Sequence, residues 1–169
     1  SVFLFNSKDL TFCDIDNLMT EVTSWDLCDH LCKNLIIKLT NYEEYIFNWI
    51  TANHIYKRRA AFTLIASAAI HDKKISQDTL NLYLNLIYKN SNSEHEHIKK
   101  AASWALREIG KINYEYNEKA LLLAYELLET ENKTQVWIAK DVIKELENVT
   151  KTEGRKRLIS TNSKMGQNL

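Results

Sequence analysis

Apolar side chains recur every three or four positions along almost the whole chain, the period of helices that bury one face. The spacing predicts a short helix over 9–20 and a longer one over 25–39, opened by Ser24, a good N-cap residue. Asn41 precedes a helix with Tyr45, Ile46, Trp49 and Ile50 on its apolar face. A further helix spans 55–70, with Ala60, Ala61, Leu64, Ile65 and Ala68 inside. Ser76 opens a helix carrying Leu80, Tyr83, Leu84 and Ile87. The polar run Lys89-Asn90-Ser91-Asn92-Ser93 reads as a loop, and Ser93 as the cap of a helix that stops at Gly110. Helices over 113–129 and 134–147 complete a single domain over 1–150. Beyond it, 151–169 reads as a basic C-terminal helix or a frayed tail.

The helices come in pairs that open near Asn41, Ser76 and Asn113, and the second members resemble one another. Arg58-Arg59-Ala60-Ala61-Phe62-Thr63-Leu64-Ile65 aligns with Lys99-Lys100-Ala101-Ala102-Ser103-Trp104-Ala105-Leu106: two cations, two small residues, then an apolar stripe. Ile138-Ala139-Lys140 to Val142-Ile143 is a degraded third copy. A helix-pair repeat of about 40 residues is the signature of the HEAT/armadillo class. The predicted fold is therefore all-α, an α-α superhelix of HEAT-like helix pairs with a concave face.

Composition supports this picture. The 169 residues include three glycines and no proline, where about twenty of the two together would be average. Turn-rich β folds and Gly-rich phosphate loops have little to be built from. No apolar run approaches the roughly 18 residues of a membrane span. The opening Ser1-Val2-Phe3-Leu4-Phe5 is too short for a signal peptide and lacks its basic flank. The absent initiator Met points to a processed or partial chain. Three cysteines without a secretory signal read as reduced thiols in a cytoplasmic protein, and a monomer is expected.

Charge changes the picture more. Lys+Arg and Asp+Glu number 22 each, yet the signs are segregated. Residues 9–50 carry eight acids and two bases; residues 51–112 carry ten bases and five acids. The next block, 113–150, is acidic again and 151–169 is basic. Lys57-Arg58-Arg59 and Lys99-Lys100 occupy equivalent places in successive repeats, so they fall on one surface of a solenoid. Cations beside helix N-termini suit a phosphate backbone, although a solvated helix face explains many such clusters. Lys140, Lys144 and Arg155-Lys156-Arg157 would extend the stripe.

Trp25-Asp26-Leu27-Cys28-Asp29-His30-Leu31-Cys32 is the most distinctive stretch. Trp25 and Asp29 stand four apart on one helix face. An aromatic ring beside a carboxylate can hold an electron-poor group and stabilise developing positive charge, as cleavage of a glycosidic bond requires. The same pair also fits a purely structural role, with acids in a first turn and a packed Trp. Cys28 and Cys32, with His30 between them, lack a second ligand pair at zinc spacing and read as buried thiols. His95 and His97 read as solvated, and Leu121, Leu122, Tyr125 and Leu128 as core.

Four segments together resemble the AlkD-type DNA alkylation repair family, HEAT-like-repeat glycosylases that remove N3- and N7-alkylated purines. Ser24-Trp25-Asp26-Leu27-Cys28-Asp29 is similar to the family's catalytic helix. Trp49-Ile50 with Tyr56-Lys57-Arg58-Arg59-Ala60-Ala61 resembles its Trp-Ile…Arg-Ala-Ala segment. Ile98-Lys99-Lys100-Ala101 with Trp104-Ala105-Leu106-Arg107-Glu108 matches its most diagnostic helix, and Ile143-Lys144-Glu145-Leu146 falls in its closing repeat. The resemblance spans about 9–150 and begins inside the family's pattern, without its further N-terminal helices. Tyr56 stands where Trp is frequent, Ser24 where one subgroup has a second Trp, and the loop near Ser91 is longer than expected.

The resemblance implies Asp29 as the catalytic carboxylate and Trp25 and Trp104 as aromatic walls against the lesion nucleotide. It implies Arg59 and Arg107 as grips on the DNA backbone. Arg58, Lys57, Lys99 and Lys100 would extend the contact to double-stranded DNA containing alkylated bases. No metal or other cofactor is expected, and no membrane. The alternatives from other classes are a non-catalytic HEAT-like DNA-binding module and a protein-interaction solenoid.

Overall fold

The computed structural model of the chain describes residues 9–169; the opening Ser1-Val2-Phe3-Leu4-Phe5 lies outside the described residues. The chain is an all-α superhelix. In order it forms α1 (Phe12–Thr20), α2 (Trp25–Asn34), a 3-10 turn (Ile36–Lys38), α3 (Tyr42–Trp49), α4 (Ile55–His71), α5 (Gln77–Asn90), α6 (Glu96–Ile109), α7 (Tyr114–Leu128) and α8 (Lys133–Leu146). A two-stranded antiparallel pair, β1 (Val149–Thr150) and β2 (Ile159–Ser160), and a one-turn α9 (Lys164–Gln167) follow. Among the described residues no helix is long and apolar enough to cross a membrane.

The second members of the pairs form one layer. α2 packs on α4, α4 on α6 and α6 on α8, while α3, α5 and α7 lie behind them. Side-chain size explains the closeness of α4 and α6. Ala60, Ala61, Ala101, Ala102 and Ala105 are buried where these two helices build the core, and small residues let helix axes approach toward the lower end of the usual 8–10 Å. Phe62, Leu64, Ile65, Tyr83, Ile109 and Tyr116 fill the space between the layers. Phe62, Leu64, Ile65 and Ile109 each contribute about 1.5–3 kcal/mol of burial. Trp49 closes the N-terminal end, fully buried against Tyr45 and Phe12, with its indole N–H donated to Asp16 at 2.7 Å.

Local chemistry sets most boundaries. The Ser76 hydroxyl and the Asn113 and Asn132 side-chain oxygens each accept the expected N3 amide. α6 begins at Glu96, because the His95 imidazole accepts the His97 amide and takes the capping position expected of Ser93. Ser24 stands at the N-cap of α2 but makes no side-chain cap. The helix predicted to run to Leu39 ends at Asn34, whose side-chain amide bonds back to the His30 carbonyl at 3.0 Å. The chain then tightens into the 3-10 turn, which buries Leu35 and Ile36 together.

Three expectations are corrected. Leu122 and Tyr125, read as core, are exposed, and only Leu121 and Leu128 of that stripe pack against it. Gly110 ends α6, but its φ of −67° is ordinary, so no left-handed turn calls for glycine there. A Cβ would instead run into the Leu146 side chain and press on Ala120. The segment 151–169 is neither a basic helix nor a frayed tail over most of its length. Thr150 pairs with Ile159 and Val149 with Ser160, and Leu158 and Ile159 are buried. Arg157 ties the segment down. Its guanidinium donates to the carbonyls of Ala69 (2.7 Å) and Glu108 (2.8 Å) and to the Glu108 carboxylate. A cation at the last turns of α4 and α6 satisfies otherwise orphaned carbonyls and complements both helix dipoles.

Candidate DNA-facing site

The first rung of the inner layer is an ion pair. Asp29 projects from α2 toward α4, where Arg59 meets it side-on: Nε donates to Oδ1 at 2.9 Å and Nη2 to Oδ2 at 2.8 Å. The Thr63 hydroxyl, one turn further along α4, donates to Oδ1 at 3.2 Å. Nη1 of Arg59 donates to the His97 carbonyl at 2.7 Å, tying α6 to the pair. The planar guanidinium fork is what permits two carboxylate bonds and a third partner at once. Asp29 is only 7% exposed; among the described residues Oδ2 accepts one hydrogen bond against two at Oδ1, which leaves Oδ2 a lone pair to spare.

Trp25, one turn before Asp29, is 50% exposed and lies with its ring 5.6 Å from the Arg59 guanidinium carbon. Arg59 therefore touches both Asp29 and Trp25. An exposed indole of this size beside a buried ion pair leaves an aromatic face available to a ligand.

The remaining predicted residues lie further along the same layer. Trp104 of α6 is half-buried, with Lys33 of α2 4.8 Å above its ring, so side chains from α2 and α6 meet across α4. Arg107, less than one turn beyond, turns toward α8 and pairs with Glu145 at 3.2 Å and Asp141 at 3.7 Å. Lys99 and Lys100 both reach Glu96, at 3.0 and 3.2 Å. These two cations hold the Glu96 carboxyl below its usual range. Lys57 points away to Asp16 of α1 (3.0 Å). Arg58 makes no ion pair among the described residues, and its buried Nε has no hydrogen-bond partner.

The cysteines and histidines resolve differently from one another. Cys28 and Cys32 are buried and donate to the Tyr56 and Ala60 carbonyls of α4. Burial pushes the Cys32 thiol well up, with Cys28 and Asp29 adding to it. His97, read from the sequence as solvated, is partly buried against Tyr56 and His95. Burial first, then the neighbouring Arg59, His95 and Lys100, pull its pKa down.

A family model described as DNA alkylation repair enzyme matches residues 4–152, most of the chain. The chain belongs to the DNA alkylation repair enzyme family. Comparison with curated proteins and with solved structures returned no significant match.

The span matched to the DNA alkylation repair family ends just after β1, so Arg157, β2 and α9 lie beyond it. Within the matched span, one residue that sequence reasoning passed over stands out. Trp137 of α8 is 36% exposed, and Lys99 sits 4.4 Å above its ring. The signal was the packing register. Ser103 meets Asp141 and Arg107 meets Glu145, each 38 residues apart, and Lys99 plus the same interval is Trp137. In the repeat alignment Trp137 stands where Arg58 and Lys99 carry a cation, which makes the third copy look merely degraded.

Proposed function

We propose that this DNA alkylation repair protein is a glycosylase that hydrolyses the N-glycosidic bond of cationic N3- and N7-alkylated purines in duplex DNA. The observation that carries this reading is the Asp29 carboxylate, fixed by Arg59 and Thr63, with the same Arg59 against the ring of a half-exposed Trp25.

The chemistry suits a single carboxylate. An N-alkylated purine already bears positive charge, so the electron pair of the breaking C1′–N bond neutralises the base and no general acid is needed. Positive charge passes to the sugar as an oxocarbenium ion. Asp29 stabilises that cation, and Oδ2, with its unused lone pair, orients the water whose oxygen bonds to C1′. The water's surplus proton passes to Asp29 or to solvent. No cofactor is called for. Trp25 and Trp104 provide aromatic faces for the lesion nucleotide, and Arg59 and Arg107 hold the flanking phosphates, with Arg58, Lys99 and Lys100 adding positive potential, while Lys57, turned to Asp16, stands apart.

Arg59 gives the site a further property. In the free protein it neutralises Asp29. A DNA phosphate that draws the guanidinium toward itself leaves the carboxylate more negative at the moment the sugar becomes cationic. The neutralised pair also favours a second reading, a DNA-binding module without turnover, if Arg59 never lets go.

Affinity for a cationic abasic-site mimic distinguishes the two. A duplex bearing a protonated pyrrolidine at the lesion position should bind at least tenfold more tightly than one bearing the neutral tetrahydrofuran analogue. Asp29→Asn should erase that preference. Equal affinity for both duplexes supports the module without turnover.

A further inference from the structure

Three of the four tryptophans lie outside the core, and all three belong to the inner layer: Trp25 on α2, Trp104 on α6 and Trp137 on α8. Each has a cation over its ring, from Arg59, Lys33 and Lys99 respectively. Family resemblance implies roles for the first two and none for Trp137.

Its surroundings differ from those of a packed core residue. Trp137, Lys140, Asp141 and Lys144 fall on one stripe of α8. The acids at this seam are engaged. Asp141 accepts from Ser103 at 2.5 Å and lies 3.7 Å from Arg107, and Glu145 pairs with Arg107 and Lys111. The lysines are not: Lys140 and Lys144 are exposed and make no ion pair among the described residues. The stripe is thus an indole face capped by one ammonium, followed by two unneutralised ammonium groups. Indole with flanking lysines suits a sugar–phosphate chain, where the ring packs on deoxyribose or a base and the ammonium groups meet phosphates.

We infer that Trp137, with Lys99, Lys140 and Lys144, forms a second DNA-backbone contact at the α6–α8 seam, remote from Asp29. This inference rests on the reading that the inner layer receives duplex DNA. Three helix spacings of 8–10 Å separate α2 from α8, roughly 24–30 Å. At ~3.4 Å per base step, the contact falls about seven to nine base pairs from the nucleotide at Trp25. The seam therefore sets the length of duplex needed for full affinity.

The test is equilibrium binding to the whole chain of duplexes of 11 and 21 base pairs, each with a central tetrahydrofuran abasic analogue that sets the register at Trp25, so that only the longer reaches the seam, wild type beside Trp137→Ala and Lys140→Ala/Lys144→Ala. Thermal melts confirm folding, and Trp137→Tyr serves as the conservative partner. Trp137→Ala should weaken the long duplex about tenfold and the short one little, and Trp137→Tyr should recover most of the loss. The double lysine variant should lower the salt slope by about two. Folded variants that bind both duplexes like wild type overturn the inference, as does a wild type that binds neither. Base release assayed in parallel keeps the two claims apart. Release by wild type with no binding defect in Trp137→Ala sinks only the seam contact. A length-dependent defect without release in any variant sinks only the glycosylase reading.

Discussion

Arg59 bonds both carboxylate oxygens of Asp29 and spends its remaining nitrogen on the His97 carbonyl, so one side chain joins α2, α4 and α6. Both side chains are about one-tenth exposed. Removing either partner leaves a charge in a poorly solvated place. Arg59→Ala and Asp29→Ala should each lower unfolding free energy by about 3–5 kcal/mol. Replacing both with apolar residues, Asp29→Leu with Arg59→Met, should cost less than either single change. Urea denaturation of the three variants checks this. Additive losses would show that the pair is not coupled.

His97 makes stability depend on pH. Its pKa in the folded chain lies below the ordinary value of about 6.5, because burial and then Arg59, His95 and Lys100 disfavour the imidazolium. As pH falls, the unfolded chain takes up this proton first. The contribution is therefore complete above about pH 6.5 and is lost as pH drops toward the folded value. Thermal melts from pH 7.5 to 5.5 should show a steeper decline for wild type than for His97→Gln, which retains the backbone carbonyl that Arg59 needs.

Gly110→Ala should destabilise the protein despite alanine's higher helix propensity. The added methyl meets Leu146 of α8 and Ala120 of α7, and overpacking of this kind costs about 1–3 kcal/mol. In a Leu146→Ala background, itself destabilised by about 2–5 kcal/mol, Gly110→Ala should cost less than it does in wild type, as read by chemical denaturation.

Arg157→Ala should release the C-terminal segment. Three hydrogen bonds to α4 and α6 vanish and the Glu108 carboxylate loses a partner it shares with Lys111. A loss of about 2–4 kcal/mol is expected, with faster proteolysis at Lys151 and Lys156. Unchanged cleavage would show that β2 and the buried Leu158 hold the segment without Arg157.

The helices were legible because their apolar stripes repeat, and the inner layer because Arg58-Arg59-Ala60-Ala61 and Lys99-Lys100-Ala101-Ala102 mark equivalent turns. The contact among Trp25, Asp29 and Arg59 was half legible. A four-residue spacing put Trp25 beside Asp29, but nothing local says that a residue 30 positions on will clasp the carboxylate. The C-terminal segment was hidden because its order comes from one arginine and a two-residue ladder, too short to show periodicity. Trp137 escaped notice because the repeat is matched there in space, 38 residues from Lys99, and not in residue type.

Base release from DNA tests the account most directly. A duplex carrying 7-methylguanine, incubated with the chain, should yield free 7-methylguanine well above the spontaneous rate. Asp29→Asn, confirmed as folded and still able to bind the duplex, should reduce that yield by about 100-fold or more. Release at the spontaneous rate by wild type, or equal release by Asp29→Asn, would contradict the assignment of Asp29 as the catalytic carboxylate of a glycosylase.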